Sequence, residues 1–399
     1  MFFNLRRKSL TKEKASLFNK QGNFLIKESR IFFENVFVHH NITRQSKKMK
    51  RTLIAIAILS VCLLSLVSCS RKRTLHIYIW ADYISEDVIK EFEKAYDCKV
   101  QQDIFDSNEM MFAKLQAGGT GYDIVCPSHY FIHKMAAQHL IQKLDYGLLP
   151  NVSEHLDPST SSKFDQTVKE YSVPYFMSYT GIGYSKSIVK DFEPTWNILL
   201  RHDMKDRVTL LDDYVEIIGA AARTLGYSFE DLNDPEDGDS KMNAVIELAL
   251  KWRGNVLKFD NEQYKNGLAT GEFSLVMGYF SDLAQIVAEN EDLALALPKE
   301  GCMMSCDMLA IPTGARNPDL AYAFINFVHE PKNAAKNIAE VYAYCPNVDA
   351  VELLDEEILE DESIFPDKEI LENSVMIPEL SPEQEERYLK AWNRIRSGK

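Results

Sequence analysis

In Leu75-His76-Ile77-Tyr78-Ile79-Trp80-Ala81-Asp82-Tyr83, the aliphatic residues 75, 77 and 79 alternate with His76, Tyr78 and Trp80. A β-branched and aromatic run at period two predicts a strand. Ser85 and Glu86 then open an amphipathic pattern of Val88, Ile89, Phe92, Ala95 and Tyr96, which predicts a capped helix. Trp80, Asp82 and Tyr83 therefore fall at the carboxyl end of a first strand, where open α/β sheets place their ligands. An aromatic, a carboxylate and an aromatic suit a cation.

Working downstream, strand and helix alternate: a strand over Lys99–Phe105, a helix over Asn108–Gln116, a strand over Tyr122–Cys126 and a helix over about Phe131–His139. This order predicts an α/β fold with a mostly parallel sheet. Tyr171–Tyr184 departs from it, being extended, aromatic and punctuated by Pro174, Gly181 and Gly183, and is read as a first crossing between two lobes. Strands over Val208–Leu211, Ser274–Gly278 and Leu293–Leu297 and helices over Val215–Leu225 and Met242–Lys251 furnish a second lobe. The extended stretch Met308–Pro312, leading to a helix over Pro318–Val328, is read as the return. Two crossings make a hinge, with a ligand held between the lobes. The expected division is 75–176 plus about 308–340 for the first lobe and 177–307 plus about 341–399 for the second, which ends in a helix over Glu383–Ile395.

Upstream, residues 1–48 are basic, and Met49-Lys50-Arg51 begins what reads as a complete export signal, 49–68, with the apolar run Leu53–Val67. Met49 is therefore read as the initiator and residues 1–48 as an untranslated or non-native extension; N-terminal peptides from 1–48 recovered from cells would refute this. Leu66-Val67-Ser68-Cys69 resembles the bacterial lipoprotein signal, which implies acylation of Cys69 and anchoring at the membrane surface.

Thirteen of the 45 Lys and Arg, but only three of the 59 Asp and Glu, precede Cys69, so the chain beyond it carries 32 basic against 56 acidic residues. Such a surface repels nucleic acid and attracts cations. The five cysteines after Cys69 (Cys98, Cys126, Cys302, Cys306 and Cys345) are odd in number, which argues against a full disulfide framework. His129 and His133 have i, i+4 spacing, but HYFIH lacks the glutamate of HExxH, and Cys302 and Cys306 stand isolated. Ser187-Ile188-Val189-Lys190 fits S-x-x-K without its companion motifs, and Gly118-Gly119-Thr120-Gly121 precedes a strand where a phosphate cradle opens a helix. Neither an enzyme nor a cofactor is expected.

Six segments taken in order carry a resemblance. Tyr78–Tyr83, Asp106-Ser107-Asn108-Glu109, Gly121–Val125 with Pro127-Ser128, Leu211-Asp212-Asp213 with Glu216, Pro298-Lys299-Glu300-Gly301, and Asp307–Pro312 resemble the spermidine/putrescine-binding proteins of bacterial polyamine ABC transporters. The likeness runs from about residue 75 to the C-terminus. It implies a two-lobed periplasmic-binding-protein fold, with a polyamine held between aromatic walls and capped by carboxylates.

Position by position, the resemblance implies ligand contacts from Trp80, Asp82 and Tyr83, from Ser128 and Tyr130, and from the pair Asp213 and Glu216 on one ammonium. Asp307 would stand beside the ligand's middle, Tyr279 falls where relatives have a tryptophan wall, and Asp282 resembles a carboxylate of the putrescine-preferring branch. Ala391-Trp392 and Arg396–Lys399 resemble that branch too. Ser305 stands where the spermidine-preferring branch has a tryptophan, and Ala81 replaces a hydroxyl residue, which thins one wall. The expected partners are putrescine or spermidine and the permease and ATPase subunits of a transporter. The expected setting is a monomer lipid-anchored at the periplasmic face of a bacterial membrane. A metal-uptake lipoprotein and a polyamine sensor are the alternatives.

Overall fold

Strand β1 (Arg73–Ile79) is buried on both faces, and its alternation feeds two cores. The computed structural model describes residues 72–119 and 121–399, so the extension 1–48, the export signal 49–68 and Cys69 lie outside the described residues. Leu75, Ile77 and Ile79 enter one core, with Val88 and Phe92 of helix α1 (Glu86–Ala95). Phe92 meets Phe324 edge-on at 4.9 Å. Burying one such phenylalanine stabilises the fold by roughly 1.5–3 kcal/mol. Tyr78 points the other way, stacked on Tyr122 at 4.6 Å.

β1 lies between β2 (Cys98–Ile104) and β3 (Ile124–Val125), all parallel, in the order β2-β1-β3. Between them, helix α2 (Asn108–Gln116) starts at Ser107, whose side chain accepts from Met110 N at 3.1 Å. Parallel strands joined by helices direct all their carboxyl ends to one side. The helix expected over Phe131–His139 is shorter, a single 3-10 turn at His129–Phe131 followed by α3 (Ile132–Ala137). His139 closes it with a positive φ of 55°.

The larger sheet is organised by β4 (Val173–Ser185), thirteen residues long. Its first half, Val173–Tyr179, pairs with β9 (Met303–Leu309). Its second half, from Thr180, pairs antiparallel with β7 (Leu275–Tyr279) and, from Ile182, with β8 (Leu293–Ala296). Beyond β7 come β5 (Val208–Leu210) and β6 (Val256–Phe259), both parallel to their neighbours, and β10 (Val375–Met376) pairs with β9. Gly181 and Gly183 lie where helix α7 (Phe280–Glu289) crosses β4: a Cβ on Gly181 would stand 2.5 Å from Phe280 Cδ2. Helices α4 (Tyr214–Thr224), α5 (Gly238–Arg253) and α10 (Pro382–Ser397) pack together on this sheet.

Two differences from the sequence-based expectation have a physical origin. The extended segment read at Met308–Pro312 begins earlier, at Met303, because β9 is hydrogen-bonded on both sides and almost wholly buried, and so shows no alternation. Helices α8 (Pro318–Val328) and α9 (Pro331–Val341) pack against the first sheet's core, and so do Ala343, Cys345, Ala350 and Ile364. The chain therefore reaches β10 only after Ile364, later than the expected boundary near 341. All five cysteines after Cys69 are buried free thiols. Among the described residues no helix is long and apolar enough to cross a membrane.

Candidate functional site

The loop after β3 lies along β9, with Met308 N donating to Pro127 O at 2.8 Å and a bridge between Ser128 and Asp307. This pairing joins residues remote in sequence. Asp307, only 4% exposed, accepts from Tyr83 Oη through Oδ2 at 2.6 Å and from Ser128 Oγ through Oδ1 at 2.7 Å. Burial pushes its carboxyl up to about 6, and the two hydroxyl donors restrain the rise. Behind them, Asn108 Nδ2 donates to Ser128 Oγ and to Tyr130 Oη, both at 3.1 Å, while its Oδ1 accepts from Ser128 N at 2.9 Å.

These groups open onto a cavity of about 410 Å³ at the carboxyl ends of β1 and β2, closed on the far side by β4, β7, β9 and the helices α4, α6 (Gln263–Thr270) and α7. Of the ten candidate residues, Trp80, Asp82, Tyr83, Ser128, Tyr130, Glu216, Tyr279, Asp282 and Asp307 line it. Asp213 does not. It caps α4 instead, its Oδ1 accepting from Val215 N at 2.9 Å and Glu216 N at 3.2 Å. An aspartate just before a helix satisfies its orphan amides, and this holds one carboxylate oxygen on the helix end.

Glu216 is also 4% exposed, and its Oε2 has no hydrogen-bond partner among the described residues. Burial, and then the like charge of Asp213, push its carboxyl up to about 8. A buried acceptor without a donor costs about 1–3 kcal/mol, and here it faces a cavity. Asp282, also on the lining, accepts through Oδ2 from Tyr264 Oη at 2.6 Å; burial raises this carboxyl, and the charge of Lys265 draws it back.

The aromatic faces come from Trp80, whose ring sits 4.3 Å from Phe105, and from Tyr83, Tyr130 and Tyr279. Trp80 Nε1 is buried without a partner among the described residues. Asp82 adopts a positive φ of 51°, a left-handed turn that aspartate tolerates, and its carboxylate reaches outward to Lys265 Nζ at 3.0 Å. Ser305 lines the cavity beside its strand partner Ser178, so the thin side seen in the sequence belongs to the cavity.

Asn108, Tyr264 and Lys265 were missed by sequence reasoning as site residues. Asn108 lies within the motif Asp106-Ser107-Asn108-Glu109, but its role depends on contacts with Ser128 and Tyr130 that no local pattern displays. The lining holds the carboxyls of Asp82, Asp106, Glu216, Glu262, Asp282 and Asp307, and one basic group, Lys265, among the described residues. A cavity so charged, with aromatic walls, is built to hold a cation carrying more than one charge and an apolar body.

The histidines serve otherwise. His129 bonds through Nε2 to Ile377 O at 3.0 Å and through Nδ1 to Cys306 N at 3.2 Å, and burial pulls its pKa down to about 4. His133 sits between Asp165 at 2.7 Å and Glu379 at 2.6 Å. Among the described residues no cluster of three or more His, Cys, Asp or Glu is arranged to hold a metal ion.

Comparison with known proteins agrees with this architecture. The putrescine-binding periplasmic protein SpuD of Pseudomonas aeruginosa is 32% identical over 371 residues, spanning 88% of this chain and all of that one. A spermidine/putrescine-binding periplasmic protein of Salmonella typhimurium is 34% identical over 328 residues, 82% of this chain and 92% of its own. The crystal structure of the Tp0655 (TpPotD) lipoprotein of Treponema pallidum superposes with a TM-score of 0.70 at 31% identity, covering 81% of this chain and 99% of that one. The sequence model for bacterial extracellular solute-binding proteins matches residues 87–366. A two-sheet α/β fold closing on a charged cavity, a non-enzymatic relationship throughout and a family match over most of the chain lead to one assignment: the chain belongs to the bacterial extracellular solute-binding proteins.

Proposed function

We propose that this protein captures a polyamine, putrescine or spermidine, in the cavity between two lobes and delivers it to the permease and ATPase subunits of an ABC transporter. The observation that carries the reading is the pair of buried carboxyls, Asp307 and Glu216, facing one cavity, with no donor to Glu216 Oε2 among the described residues. An alkyl ammonium supplies what that oxygen lacks, and its own charge would otherwise be costly to bury. Trp80, Tyr83, Tyr130 and Tyr279 cover the methylenes and attract the charge, each cation–π contact contributing about 0.5–2 kcal/mol. Asp307, held by Tyr83 and Ser128, meets one ammonium, and Glu216, with Asp213 behind it, meets another.

In this proposal β4 and β9 carry the chain between the lobes, with a further passage before β10, and bending of these strands opens and closes the cleft. Cys69 is acylated and holds the monomeric receptor at the periplasmic face of the membrane. The relatives, which include periplasmic binding proteins and a lipoprotein, support that location.

The test is calorimetric titration of the purified protein, freed of carried amine by unfolding and refolding, with putrescine and then spermidine. Micromolar or tighter binding that collapses in Asp307→Ala is the expected result. No heat with either amine would overturn the reading.

A further inference from the structure

Lys265, in the first turn of α6, puts a cation inside a cavity lined with carboxyls. Its Nζ donates to Asp82 Oδ2 at 3.0 Å and to Gln285 Oε1 at 2.5 Å, and its side chain is 18% exposed. Gln285 is itself held, its Nε2 donating to Val341 O at 3.3 Å. The lysine is thus oriented from both sides, toward the end of the cavity where Asp82 and Asp282 stand.

We infer that Lys265 is a specificity-determining residue: it supplies from within the chain the ammonium that the Asp82 and Asp282 end would otherwise take from a ligand, and so selects a dicationic amine over a longer tricationic one. The inference rests on the polyamine reading above. Asp307 and Glu216 remain for two ligand ammoniums. A third ammonium has to displace a tethered group present at high effective concentration, or be buried beside a like charge. Either route weakens the triamine selectively, because the diamine leaves Lys265 where it is. An exposed lysine would be a weak obstacle, but this one is mostly buried and doubly bonded.

The experiment titrates the purified, ligand-stripped protein and its Lys265→Met and Lys265→Arg forms with putrescine and spermidine, and compares the ratio of the two affinities. In Lys265→Met the ratio shifts toward spermidine by about tenfold or more, whereas Lys265→Arg keeps the original preference. An unchanged ratio in Lys265→Met, with both amines bound, overturns this assignment alone. Absence of binding by the unaltered protein overturns the polyamine reading itself. Should Lys265→Met fail to fold, the unaltered protein still decides: mono-N-acetylated spermidine, with two charges, binds tighter than spermidine with three, and the reverse order overturns the inference.

Discussion

Tyr83 Oη donates to Asp307 Oδ2 at 2.6 Å, joining residues 224 positions apart. Tyr83 closes the turn after β1, and Asp307 lies in β9, so this hydrogen bond ties the two sheets at the cavity, beside the one from Ser128. In Tyr83→Phe the buried carboxyl loses one of its two donors, a loss of about 1–3 kcal/mol. Affinity for putrescine should drop by about tenfold at pH 7 and recover at higher pH, where Asp307 regains its charge. Calorimetry at two pH values checks both halves.

Glu216 and Asp307 set a pH dependence. Both carboxyls are raised in the folded protein, Glu216 from 4.5 to about 8 and Asp307 from 3.8 to about 6. The folded state therefore binds more protons than the unfolded chain across that window, and the ligand-free protein should lose stability as pH rises from about 4 to about 8. Putrescine prefers the ionised carboxyls and reverses the trend. Thermal melts with and without amine read this directly, and titration at pH 7 in buffers of differing ionisation enthalpy should detect protons released on binding.

Trp80 offers a simpler test. Trp80→Ala removes an aromatic wall that rests on Phe105 at 4.3 Å, and with it a cation–π contact of about 0.5–2 kcal/mol. A loss of putrescine affinity of about tenfold is expected, with fluorescence or calorimetry as the readout. Unchanged affinity would remove Trp80 from the ligand's surroundings.

Gly181 is a prediction about stability. Gly181→Ala forces a methyl to 2.5 Å from Phe280, so α7 must move or the strand must bend, at a cost of about 1–3 kcal/mol. A urea midpoint lowered without a change in slope is the expected outcome.

How much of this was legible in the sequence varies with distance along the chain. β1, the turn bearing Trp80 and Asp82, and α4 were readable because their signals are local: an alternation, a cap and a helical period. The family likeness pointed Asp213 at the ligand, but that its Oδ1 caps α4 showed only in the structure. β9 was misplaced because a strand buried on both faces shows no period. Lys265 was invisible for another reason. Nothing within Glu262-Gln263-Tyr264-Lys265 distinguishes it from a solvated lysine, and its meaning comes from Asp82, 183 positions away.

β4 exchanges its hydrogen-bonding neighbours between Tyr179 and Thr180, β9 before that point and β7 after it. New chain ends placed there would sever a backbone whose halves no loop reconnects. An amine biosensor engineered from this protein must therefore leave β4 uncut, and its reporter belongs on an outer turn such as the one at Asn290–Asp292, from which movement of the sheet can be read without breaking it.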